Sequence, residues 1–147
     1  MEQSDIQSIA WDVFEIPISR PDLASWPHFG FVIQAYLVQA PTDAEHLPSL
    51  GRRRGTPLSV RLVKGAYWDY EMAHARQHGY PCPVLAEKQR TDATFEALSE
   101  LLVKNTALVN PGIGSHNSRS ISSCARCRPK RTRDAGLIRA TGPARHG

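Results

Sequence analysis

The chain has no apolar run approaching the ~20 residues needed to cross a bilayer. Its first residues, Met-Glu-Gln-Ser-Asp, are acidic where a secretory leader would be basic. Both features predict a cytoplasmic protein. It has only three cysteines, Cys82, Cys124 and Cys127, an odd number without framework spacing, which argues against a disulfide scaffold. It has no G-x-G-x-x-G and no P-loop pattern, so neither Rossmann nor Walker phosphate binding is indicated.

At 147 residues, 41% hydrophobic and 22% charged, the composition is that of a globular chain of one domain at most, or a piece of a larger one. Charge divides it. Residues 1–117 hold 10 Lys/Arg against 13 Asp/Glu, a net −3, and residues 118–147 hold 8 Lys/Arg against 1 Asp, a net +7. The basic stretch has no sustained apolar period and no aromatic residue, so it is expected to be an unstructured tail. Cys124-Ala-Arg-Cys127 is a C-x-x-C that His116 or His146 would have to complete, but no second pair at zinc spacing stands near it. No metal is expected. The tail's charge suits nucleic acid or acidic surfaces only nonspecifically.

Before the tail, strand and helix patterns alternate. "FGFVIQAYLV", residues 29–38, reads as a strand buried on both faces that carries one polar side chain, Gln34. Thr42 and Glu45 stand at capping-box spacing and predict a helix start there; Pro48 predicts a short or kinked helix, and Gly55 its end. Residues 58–63 alternate Leu58, Val60 and Leu62 with Ser59, Arg61 and Val63, a strand with one apolar face. Asp69 is a candidate cap for a helix over residues 70–78 ended by Gly79, and the prolines of "YPCPV" predict an extended connection. Thr91 or Asp92 is expected to cap a helix whose Phe95, Leu98, Leu101 and Leu102 form one stripe, with Asn105 at its C-terminus. "PGIGSHN" then reads as a short strand of small residues. The alternation implies parallel βα units.

In "VRLVKGAYWDYE", residues 60–71, two cations sit in an otherwise apolar run, and a desolvated charge needs a partner. Structural pairs of Arg61 and Lys64 with Asp69 and Glu71 are one reading. The other is a ligand, because Gln34, Arg61, Lys64, His116 and Asn117 all fall at or near the C-terminal ends of predicted parallel strands, where α/β folds bind ligands.

The same block closely resembles the signature of the proline dehydrogenase domain of bacterial proline utilisation proteins, the PutA family. "WPHFGFVIQAYL" is similar to that family's preceding strand, "TDATFEAL" to its following helix and "GSHNSRSI" to its next strand, in matching order over about residues 1–121. The resemblance implies a partial (β/α)8 TIM-like barrel limited to the middle βα units, FAD as cofactor, and oxidation of L-proline to Δ1-pyrroline-5-carboxylate by hydride transfer to flavin N5. Electrons then pass to a quinone at the membrane surface, and an aldehyde dehydrogenase domain accompanies some members. No nucleic acid partner is implied.

Carried over by residue, Arg61 and Tyr67 become catalytic, with Arg61 stabilising charge on the reduced ring. Gln34, Arg61, Val63, Lys64, Gly65, Ala66, Trp68, Lys88, His116 and Asn117 become cofactor-binding, and Leu62, Ala66 and Tyr67 substrate-binding. Where the family has Thr-Arg-Lys this chain has Ala86-Glu87-Lys88, which changes two of three adenosine-side contacts. The family's early strands and its late arginine-bearing helix find no counterpart, so the chain alone is expected to be inactive. Back-translation of Arg133 to Arg139, read one nucleotide later, permits Glu-Met-Gln-Ala-Leu-Tyr-Gly, which is similar to the family's next segment. Residues 122–147 are on that ground expected to be out of frame. A noncatalytic remnant, or a protein binding through its basic tail, are the competing readings.

Overall fold

The structure, a computed structural model, describes residues 7–18, 20–24, 26, 29–115, 117, 118 and 120–122. Three strands, β1 (Gly30–Gln34), β2 (Leu58–Val63) and β3 (Val109–Gly114), form one parallel sheet in the order β1-β2-β3. Helix α3 (Ala40–Arg54) joins the first two strands; α4 (Trp68–His78) and α5 (Lys88–Lys104) join the second pair. Helices α1 (Gln7–Ile18) and α2 (Pro21–Ala24) precede the sheet. The parallel βα units are those the alternation predicts.

Register fixes the two faces. Ile33, Leu62 and Ile113 lie in one row and Phe31, Val60 and Pro111 in the next, so one face is apolar, and α3 and α5 pack on it. Leu47, Leu58, Leu62, Phe95 and Leu102 are fully buried there. The opposite face carries rows Gly30-Ser59-Asn110, Val32-Arg61-Gly112 and Gln34-Val63-Gly114. It is small and polar, and Arg61 and Asn110 on it are exposed.

The first strand is shorter than expected. Its run continues in sequence to Val38, but β1 ends at Gln34 because the chain turns there, Leu37 N–H donating back to Gln34 O at 3.1 Å. Leu37 then meets Val84 in an isolated antiparallel bridge, which anchors the extended "YPCPV" segment. Burial rises along the strand, with Gly30 exposed and only Ile33 and Gln34 buried, so it is not covered on both faces throughout.

Three expected helix caps are not caps. Helix α3 begins at Ala40 rather than Thr42, with Pro41 in its first turn, where a missing N–H costs nothing. α4 begins at Trp68 rather than after Asp69, and α5 at Lys88 rather than after Thr91 or Asp92. None of the three uses a side-chain cap bond; Asp43 and Asp69 lie in first turns instead, where the helix dipole favours them. Pro48 also does not shorten α3, which runs through it to Arg54. The C-termini are as expected: Gly55 (φ 75°) and Gly79 (φ 66°) are left-handed caps donating to Gly51 O and Ala75 O.

The sequence reading did not anticipate α1. Its Trp11 and Phe14 join Phe29 and Phe31 in a ring cluster with centroids 4.5 to 5.9 Å apart, at the outer side of β1. Their spacing of three, with Ile18 four further on, is a helical stripe that was available in the sequence. Cys124, Cys127, His146 and the basic stretch beyond residue 122 lie outside the described residues, as does His116.

Candidate functional site

At the C-terminal ends of β1 and β2 the chain forms a cleft of about 430 Å³. Tyr36 comes from the turn after β1, Lys64 and Gly65 from the end of β2, and Trp68 from the start of α4. Ala86, Lys88, Thr91 and Asp92 close it from the start of α5.

Gly65 makes the bend that leaves the strand. Its φ is 123°, a conformation side chains rarely adopt, and a Cβ there would fall 2.5 Å from the Tyr36 ring. Glycine is required on both counts. The Tyr36 N–H bonds Lys64 O at 2.9 Å, and its own carbonyl accepts from Leu85 N–H at 2.7 Å, so the tyrosine is tied to both walls. Trp68, at 38% exposed, is aimed by its Nε1, which donates to Leu85 O at 2.8 Å.

The electrostatic centre is one carboxylate between two ammonium groups. Asp92 Oδ1 accepts from Lys64 Nζ and Oδ2 from Lys88 Nζ at 2.7 Å. Lys64, and then Lys88, hold the Asp92 carboxyl below its ordinary range. Lys64 Nζ also lies 5.6 Å from the centre of the Phe95 ring, which adds a cation–π contact in a half-buried place. Lys64 pairs with Asp92, which the early start of α5 brings alongside it.

Arg61 answers the same question differently. It is exposed, on the open face, and its Nε lies 3.6 Å from where a Cβ on Gly114 would stand. A Cβ on Gly114 would stand 2.9 Å from Val63 Cγ1, so this glycine makes room for the valine beside Arg61. Gln34 is 4% exposed in the neighbouring row.

Of the expected site residues, Lys64, Gly65, Trp68 and Lys88 are brought together in the cleft. Gln34, Arg61 and Val63 share the adjoining open face. Ala66 and Tyr67 are exposed in the β2–α4 connection, Tyr67 at 43%. Asn117 is exposed beyond β3, its side-chain oxygen accepting from Ser120 N–H at 3.3 Å. Leu62, expected to bind substrate, is 0% exposed within the apolar core of the sheet. Sequence reasoning missed Tyr36, Thr91 and Asp92 as lining residues. The Lys88 to Asp92 spacing of four was a signal for the last of these.

The proline dehydrogenase family model matches residues 1–138. The chain belongs to the proline dehydrogenase family. The bifunctional protein PutA of Escherichia coli is 37% identical over 123 residues, which are 83% of this chain and 9% of that protein. The crystal structure of proline utilization A from Bdellovibrio bacteriovorus inactivated by N-propargylglycine superposes with a TM-score of 0.83 at 40% identity, over 86% of this chain and 13% of that one. A proline utilization A structure from Bradyrhizobium japonicum gives 0.82 at 31% identity over the same shares. The chain thus spans about a tenth of the length of the curated relatives it matches. The three parallel strands and the helices between them are a portion of the proline dehydrogenase barrel, and the described residues contain no helix long and apolar enough to cross a membrane.

The residues of this proline dehydrogenase segment fit a flavin dinucleotide in kind. Rings and aliphatic stems line the cleft, two ammonium groups stand in its wall, and the first turn of α5 carries a cation and no acid. A diphosphate with aromatic ends matches such a donor set.

Proposed function

We propose that this chain supplies the flavin-side wall of a FAD-dependent proline dehydrogenase. The observation that carries the reading is the convergence of Lys64, Gly65, Trp68 and Lys88 in one cleft beside the open face bearing Arg61 and Gln34. Bound FAD would accept a hydride at N5 from L-proline, leaving Δ1-pyrroline-5-carboxylate. Arg61 supplies a fixed cation for charge developing on the ring, and Gln34, buried in the adjoining row, orients the ring's polar edge. Val63 and Ala66 contact the ring, while Tyr67 and Ala66 bound the proline pocket. Trp68 and Lys88 hold the adenosine and phosphate end. His116 and Asn117 close the far side.

In longer relatives the electrons would continue to a quinone at the membrane surface, and a fused aldehyde dehydrogenase would take the product onward. The barrel segment ends at residue 121 on this reading, the remainder being an out-of-frame tail that resequencing of the gene tests. The 147-residue chain alone is inactive, since a proline carboxylate needs a cationic clamp that the described residues do not assemble. Dye-linked oxidation of L-proline tests the reading. FAD retention without turnover is expected; turnover by the chain alone, or failure to retain FAD, would contradict it.

A further inference from the structure

Lys64 and Lys88 come from different elements, the connection after β2 and the first residue of α5, yet one carboxylate holds both. Their situations differ. The Lys64 side chain is 24% exposed and packed over Phe95, whereas Lys88 is 79% exposed and, apart from Asp92, ordinary surface lysine. An ammonium group has three donors. The bond to Asp92 uses one on each lysine and leaves the others for a ligand.

We propose that Asp92 is a positioning residue for a diphosphate-bearing ligand, gathering Lys64 and Lys88 on one wall of the cleft so that both meet the same anion. The assignment rests on the flavin dinucleotide reading above and narrows it to the diphosphate. A carboxylate beside an anion site would ordinarily repel the anion. Here each of its oxygens is already bonded to a cation, the trio keeps a net positive charge, and the first turn of α5 adds no acid. Without Asp92 the Lys88 stem samples many rotamers, and ordering it falls on the binding step. Charge and positioning therefore predict opposite signs for removal of Asp92. Local charge alone predicts tighter anion binding, and positioning predicts weaker.

Titration calorimetry of the full chain with ADP, FAD and riboflavin, at one ionic strength, separates them. Asp92→Asn is expected to weaken ADP and FAD by about fivefold, the scale of a partly exposed ion pair, and to leave riboflavin unchanged. Lys88→Met is expected to weaken ADP similarly, and Asp92→Asn added to it costs less than it does alone. Asp92→Glu keeps most of the affinity. If Asp92→Asn does not fold by circular dichroism, Lys88→Met and Asp92→Glu decide the matter by the same signs. Equal or tighter ADP binding in Asp92→Asn overturns the assignment, as does an equal loss for riboflavin, which would make Asp92 a general prop of the cleft. Absence of ADP binding by the unaltered chain overturns it too. ADP bound as tightly as FAD, with the Asp92 effects intact, would defeat the flavin reading and leave the assignment standing.

Discussion

Gly65 lies against the face of Tyr36 so closely that a Cβ on the glycine would stand 2.5 Å from the ring's Cγ and Cδ1. The strand that carries Arg61 and the turn that follows Gln34 are locked together at this point, with Ala35 N–H bonding Val63 O at 2.8 Å beside it. Gly65→Ala brings a methyl group into a ring and a side chain into a left-handed conformation at once. It is expected to destabilise the chain by about 2 kcal/mol and to abolish FAD retention. Urea titration and flavin absorbance check the two effects.

Arg54 is 5% exposed and donates to the carbonyls of Leu23 at 3.4 Å, Trp26, and Pro57 at 3.5 Å, with its guanidinium 5.1 Å from the centre of the Phe29 ring. Burial lowers its pKa from the ordinary arginine value. It ties the segment after α2 to the end of α3. Arg54→Met keeps the stem and strands the carbonyls, with an expected loss of about 2 kcal/mol. Hydrogen exchange should rise first at residues 21–24, and uniform protection there would contradict the role.

Asp92 gives the chain a pH signature. Its folded pKa lies below the unfolded value near 3.8, so the stabilisation is complete above that value and is lost as pH falls through the lower, folded one. The contribution is small, because the side chain is a third exposed and screened. Asp92→Asn is expected to flatten stability against pH below about 4 and to leave the rest of the curve parallel, as thermal melts in a pH series would show.

Arg61 separates stability from function. It is exposed on the open face, so Arg61→Met should change unfolding free energy by no more than about 0.5 kcal/mol. Flavin retention should fall while the far-ultraviolet spectrum stays unchanged. A variant that unfolds would instead make Arg61 a structural residue.

Much of this was legible from the residues. The β2 alternation is read without error because apolar and polar side chains alternate from Leu58 to Leu62, and the two faces observed are those of the pattern. Gly55 and Gly79 announce helix ends because glycine adopts positive φ without strain. Helix starts were read too late. Thr42, Asp69, Thr91 and Asp92 have the chemistry of caps, but tight connections start each helix two to five residues sooner and move those side chains into the helix. That shift hid the site's electrostatic centre, since Asp92 reads as a cap in sequence and stands between two lysines in space. Tyr36 was hidden differently: its role depends on the turn after Gln34, which an unbroken apolar run does not reveal.

The most direct measurement is gel filtration of the full chain in excess FAD, with flavin absorbance followed across the protein peak. Flavin eluting with a compact species, and lost in Arg61→Met and Gly65→Ala, is the predicted result. A folded, compact peak carrying no flavin would contradict the claim that these strand ends form the wall of a flavin site.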